Sequence, residues 1–218
     1  DSLSRVLRIA GHAGCVNDQS LLAEDPSGAV TGGNIRSLFL TEAQRSANTT
    51  SALPFPLRFD MANKGLEAPG PPRGGPLPLA TTPAAGAATA WSPTLPAELS
   101  GLSPIAGSDI VVLRYLSPEQ ATVSALTMAA SSTISYPATS GTVATEGSGL
   151  YALADCTAAT VFQASAAPST TAMTVNVSGL NQSGLGYVSS NDGSSTYKPG
   201  GATLYRAESV AYYVALNP

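Results

Sequence analysis

Few side chains in this chain of 218 residues are of a type and spacing that could carry chemistry. There is one histidine, His12, and there are two cysteines, Cys15 and Cys156. Hydrolysis by a Ser/His/Asp arrangement needs a histidine held as base by a third group. His12 falls on the polar side of a short helical stretch with no evident partner, which reads as a solvated surface residue. His12 and Cys15 form an HxxC pair, but zinc takes three or four ligands and no others cluster near them in the sequence. Activation of a Cys15 nucleophile by His12 is the other reading of that pair. Glu24 and Asp25 are adjacent carboxylates flanked by Pro26, Ser27 and Gly28, a turn composition more than an acid/base pair. Asn191-Asp192-Gly193 offers oxygen ligands, yet no closing glutamate follows as a calcium loop requires, so it too reads as a turn. No Gly-rich strand–loop–helix phosphate motif is present. The sequons at Asn48, Asn176 and Asn181 matter only in a glycosylating secretory host. No catalytic, metal or cofactor site emerges from these residues, and no cofactor is expected.

The cysteines lie far apart and fit neither a CxxC redox pair nor a zinc cluster. Two unrelated thiols are one reading. A disulfide is the other, favoured by an even count in a chain of exported character. Such a bond would close a loop of about 140 residues, a constraint the chain-entropy model values at ~5 kcal/mol. The exported character rests on composition: charged residues make up 11% of the chain, Gly and Pro number 21 and 17, and Ser and Thr are abundant. The net charge is −4 with no basic run, which excludes a phosphate-neutralising patch for nucleic acid and argues against an anionic membrane surface. No apolar stretch approaches the ~18 residues of a spanning helix.

The elements that must position these residues are a helix and then strands. Leu3, Val6, Leu7 and Ala10 follow the i, i+3, i+4, i+7 spacing, with Arg5, Arg8 and His12 opposite. Ser2 suits the start of this helix over 1–10, and Gly11 and Gly14 its end. Short packed segments are expected at Ile35 to Leu40 and Leu53 to Phe59. Residues 63–105 hold a Pro/Gly/Ala tract read as a long surface loop, with Trp91 anchoring its return to the body. Strands are expected at 109–115, 158–165, 171–177 and 209–215, with weaker candidates at 121–130 and 132–136. Met173, Val175 and Val177 alternate with polar or small residues, the pattern of one buried face. The expected fold is α+β in a single domain over 1–218: the helix end at 1–14, the loop at 63–105, and the main β-region at 107–218 as an antiparallel sheet.

The segment LSRVLRIAGHAGC (3–15) resembles the helix end of PilW-type minor pilins of bacterial type IV pili, where an LxRxLRxAGxxGC pattern leads into the first cysteine. GLEAPG (65–70) followed by AWSPTLPAEL (90–99) is similar to that family's variable loop. GSDIVVLRYLSPEQATV (107–123) resembles its first strong strand, ADCTAATVFQAS (154–165) its second-cysteine motif, and TLYRAESVAYYVA (203–215) a later strand. The resemblance implies a pilin-like fold in which Leu3, Val6, Leu7 and Ala10 seat the helix on an antiparallel sheet. It also matches Cys15 and Cys156 to the family's two cysteines. It implies a non-enzymatic subunit that joins other minor pilins and pilus-tip components to prime assembly, supporting twitching motility, adhesion or DNA uptake. Such a subunit is anchored in the inner membrane facing the periplasm and then displayed on the extracellular pilus. Membrane contact would be made only by an apolar helix ahead of residue 1; relatives continue with further strands past the position of Pro218, so either this protein is short or more strands follow. A pseudopilin of type II secretion, a surface module binding ligand through the 63–105 loop, and an enzyme with a cleft of convergent carboxylates are the rival readings.

Overall fold

A computed structural model describes residues 2–14, 35–41, 43–44, 50–70, 75–76, 82–127, 131–145, 149–156, 158–185 and 197–216. Cys15, Glu24, Asp25, Asn48 and Asn191-Asp192-Gly193 lie outside the described residues. In chain order the elements are α1 (Ser2–Ile9), β1 (Ile35–Ser37), β2 (Asn63–Leu66), β3 (Ile110–Thr122), β4 (Ala125–Thr127), β5 (Ser131–Ser135), α2 (Thr142–Thr145), β6 (Leu150–Ala154), β7 (Ala159–Gln163), β8 (Ala172–Asn176) and β9 (Thr203–Tyr212). Short 3₁₀ turns punctuate the connections.

Six strands form one curled sheet in the order β1-β7-β6-β9-β3-β2, and β4-β5-β8 form a second. Every pairing is antiparallel except β1 with β7, which runs parallel. The layers are therefore sheet on sheet. Tyr151, Leu153, Phe162 and Leu204 of the large sheet are buried together with Ile134, Met173 and Val175 of the small one. Burial of each such aliphatic or aromatic side chain stabilises the fold by ~1.5–3 kcal/mol. On the opposite face of the large sheet, β6, β7 and β9 present the small residues Ala152, Ala154, Ala159 and Ala207. These leave room for Phe39, Leu40, Leu53, Leu57 and Phe59 of irregular segments to pack closely. A third cluster covers the β2–β3 end, where Trp91, Leu95 and Leu99 meet Leu66, Ile110 and Val112.

The α+β expectation is corrected by this architecture: the described residues are mostly β, and the eight-residue α1 forms no layer of its own. The expected seat of that helix is also overturned. Leu3 is 41% exposed and Leu7 51% exposed, while Val6, Ile9 and Ala10 are half-buried. The helix is turned so that Arg5, Val6 and Ile9 look toward β3, and the leucines look out. What fixes that turn lies just beyond the helix. The Gly11 N–H donates to the Arg114 carbonyl (2.9 Å) and the Leu116 N–H to the His12 carbonyl (2.7 Å), so the helix exit is sewn to β3. Gly11 and Gly14 have φ of +81° and +74°, and a Cβ at Gly14 would meet the Tyr205 hydroxyl at 3.1 Å. Leu7→Asp is accordingly expected to leave the thermal midpoint within about 2 °C of the parent, as for an ordinary surface change. Thermal unfolding by circular dichroism measures this, and a loss of many degrees would place Leu7 inside.

The 63–105 stretch is also more than a surface loop. It contributes β2, and Leu66, Ala85, Trp91, Leu95 and Leu99 are buried. Trp91 donates from Nε1 to the Ala85 carbonyl at 2.7 Å, satisfying its polar handle within the segment. The sequon at Asn181 is structural. Its Oδ1 accepts from the Gln163 N–H (2.9 Å) and its Nδ2 donates to the Gln163 and Asn176 carbonyls (2.8 and 3.0 Å). This buried amide satisfies the backbone of Gln163, the last residue of β7.

Candidate functional site: a charged cleft between the helix and a strand bulge

The β3–β9 ladder is interrupted once. Leu116 pairs with Ala207 and Gln120 with Tyr205, so Ser117-Pro118-Glu119 bulge out opposite Arg206. Pro118 has no N–H to give to the ladder, which makes this the natural place for the break. The bulge is held by its own side chains. The Ser117 hydroxyl donates to the Glu119 carboxylate, and the Glu119 N–H returns to Ser117 Oγ at 3.3 Å. Arg206 of β9 donates from Nη2 to Glu119 Oε2 (3.1 Å) and to Ser117 Oγ (3.3 Å). Its Nε lies 3.6 Å from Glu208 Oε1.

A cleft of about 320 Å³ opens above this bulge. Tyr115, Ser117, Pro118, Glu119, Arg206 and Glu208 form its floor, and Arg5, Val6 and Ile9 of α1 form its other wall. The two carboxyls are driven apart electrostatically. Glu119 lies below the ordinary carboxylate range, chiefly through the Ser117 hydrogen bond, with Arg206 and Arg5 also favouring its charge. Burial pushes Glu208 up, Arg206 offsets part of that, and the Glu119 charge adds to it. Burial raises Tyr115 as well, with the Glu208 charge next in weight.

For Glu208 the sign of the linkage is that of a carboxyl raised on folding. Its ionisation opposes the fold, so stability falls as pH rises from its ordinary value of 4.5 through the raised folded value. Glu208→Gln is therefore expected to flatten that decline and to match the parent at more acidic pH. Urea midpoints measured across this pH range test it, and an unchanged pH profile would remove Glu208 as its source.

A raised and a lowered carboxyl in one cleft is an arrangement used for acid/base catalysis. Here, however, both carboxyls are engaged by one guanidinium, Arg206 lying 3.1 Å from Glu119 and 3.6 Å from Glu208. The arrangement is suited to holding a ligand or a neighbouring chain. Among the described residues, no three His, Cys, Asp or Glu side chains gather as a metal site needs. None of the described helices is long and apolar enough to cross a membrane.

The sequence-derived candidates are not brought together here. His12 is exposed, with its ring edge-on to Tyr205 at 6.1 Å, and it serves the fold through its backbone carbonyl. Cys156 is exposed on the turn between β6 and β7 and is disulfide-bonded, and no described cysteine is free. Tyr115, Ser117, Glu119, Arg206 and Glu208 were not singled out by sequence reasoning. The signal that could have found them is Ser117-Pro118-Glu119 inside an otherwise apolar strand, where a proline marks a bulge.

Comparison with protein-family models, with curated proteins and with solved structures finds no match to the chain.

Proposed function

We propose that this protein is a non-enzymatic building block of a bacterial type IV pilus, a minor pilin of the PilW type that joins other minor pilins to prime assembly at the tip. The observation that carries this reading is the outward-facing apolar edge of α1. Leu3 and Leu7 stand in solvent on a strongly amphipathic helix whose exit is bonded to β3. A helix that turns its leucines away from its own domain gains by burying them against something else. The resemblance of the ordered sequence landmarks from Leu3 to Ala215 to PilW-type minor pilins supports a pilus as that assembly. In this reading the β-body is carried to the cell surface by an inner-membrane-anchored helix ahead of residue 1.

The test is genetic. Deleting the gene in the source bacterium is expected to reduce surface pili and twitching, and the parental gene to restore both. A gene carrying Leu3→Asp and Leu7→Asp is expected to yield folded protein that does not restore them. Normal piliation in the deletion strain, or full rescue by the double variant, would refute the reading. The cleft favours a second property, ligand binding, for the same surface-displayed body.

A further inference from the structure

We propose that the cleft between α1 and the β3–β9 bulge is a binding site for a neutral polyhydroxylated ligand, a sugar ring presented by a glycan. The proposal goes beyond the structural role argued above and does not depend on it. Its size is the first argument: about 320 Å³ lies within the range of ligand pockets and matches roughly ten waters' share of liquid volume.

Charge decides among classes of guest. Arg5 and Arg206 balance Glu119 and Glu208, so an ion of either sign is drawn by one pair and repelled by the other. A hydroxyl both donates and accepts. It can therefore use a guanidinium, two carboxyls and the Tyr115 phenol in turn. The walls suit the remaining surface of a sugar. Val6, Ile9, Pro118 and the Tyr115 ring offer apolar area for its C–H face.

The polar groups are also fixed before any ligand arrives. Ser117 and Arg206 both hold Glu119, and Pro118 stiffens the bulge, so little ordering is left to be done on binding.

Amide NMR of the full chain tests this with glucose, galactose, mannose and N-acetylglucosamine, and with acetate and methylammonium as charged probes. At least one sugar is expected to give saturable shifts centred on residues 115–119 and 206–208, and the charged probes none. Arg206→Lys and Tyr115→Ala are expected to weaken that binding by about tenfold each, the cost of one charge-assisted hydrogen bond or one wall of the site. Should either variant fold poorly, the shift map of the parent protein remains decisive. No saturable shift with any sugar, shifts centred elsewhere, equal binding of a charged probe, or undiminished affinity in folded variants would each overturn the proposal.

Discussion

Arg114→Ala is expected to lower stability by ~3–5 kcal/mol, the combined cost of two buried carbonyls left unsatisfied and the packing lost with the side chain. Across a chain of this length that corresponds to a drop of roughly 10 °C in thermal midpoint. Arg114 is 1% exposed in the centre of β3. Its Nη1 donates to the Met61 carbonyl (3.1 Å) and its Nη2 to the Phe55 carbonyl (2.5 Å), while the guanidinium lies 4.5 Å from the Phe55 ring centroid. Burial lowers its pKa to about 10, Asp60 opposing the shift and Arg58 adding to it. Alongside, Arg58 grips the Asp60 carboxylate through Nε (2.9 and 3.0 Å) and Nη2 (2.7 Å). One side chain thus fastens residues 55–61 over the alanine-lined face of the large sheet. Alanine would leave two carbonyls without their donor and a hole beneath Phe55. Arg114→Met keeps the stem and removes the donors, so it separates the two losses. A midpoint unchanged in both variants would mean that the apolar contacts of Leu53, Leu57 and Phe59 suffice.

Cys156→Ser is expected to cost ~2–5 kcal/mol, as the loss of a native bridge commonly does. Cys156 is disulfide-bonded, and Cys15 is the chain's other cysteine. The described residues just before Cys15 and just before Cys156 both meet β9. Gly14 rests on the Tyr205 ring, and β9 pairs Thr203 with Ala154, two residues before Cys156. The Asp155 N–H donates to the Ala158 carbonyl (3.0 Å), and the Ala158 N–H donates to Asp155 Oδ1 (2.9 Å), so the turn carrying Cys156 is shaped before any bridge forms. Mass spectrometry of unreduced peptides is expected to find residues 15 and 156 in one cross-linked species. Two alkylatable thiols, or Cys156 joined to another molecule, would take this staple out of the fold.

Strand character was legible in the sequence wherever β-branched residues dominate. Ile110 to Tyr115 and Ala159 to Gln163 are strands, and Met173 and Val175 form the buried side of β8, although Val177 beyond them is exposed. The failures have physical causes. LYALA forms β6 in spite of leucines and alanines that favour helix, because its alternation buries Tyr151 and Leu153 on one face and Ala152 and Ala154 on the other. The helix periodicity at Leu3, Val6, Leu7 and Ala10 is genuine, but periodicity names a face without naming what covers it. Its orientation was set by backbone bonds at Gly11 and His12, which no side-chain pattern encodes. The β2 strand, NKGL, has almost no strand composition and is recruited by the free edge of β3. The cleft was invisible for a related reason: its charged groups come from three segments, brought together by the bulge register and by the backbone bonds at the helix exit.

The stitching of residues 11 and 12 onto β3 has a mechanical consequence. A pull applied through α1 meets the hydrogen bonds at Arg114 and Leu116 before it can peel away any chain beyond them. The load then passes into the longest of the described strands, which is bonded on its two sides to β2 and to β9. Traction on the helix is thereby spread across the sheet as a whole, and the bond pair at the helix exit acts as the fuse that would give way first.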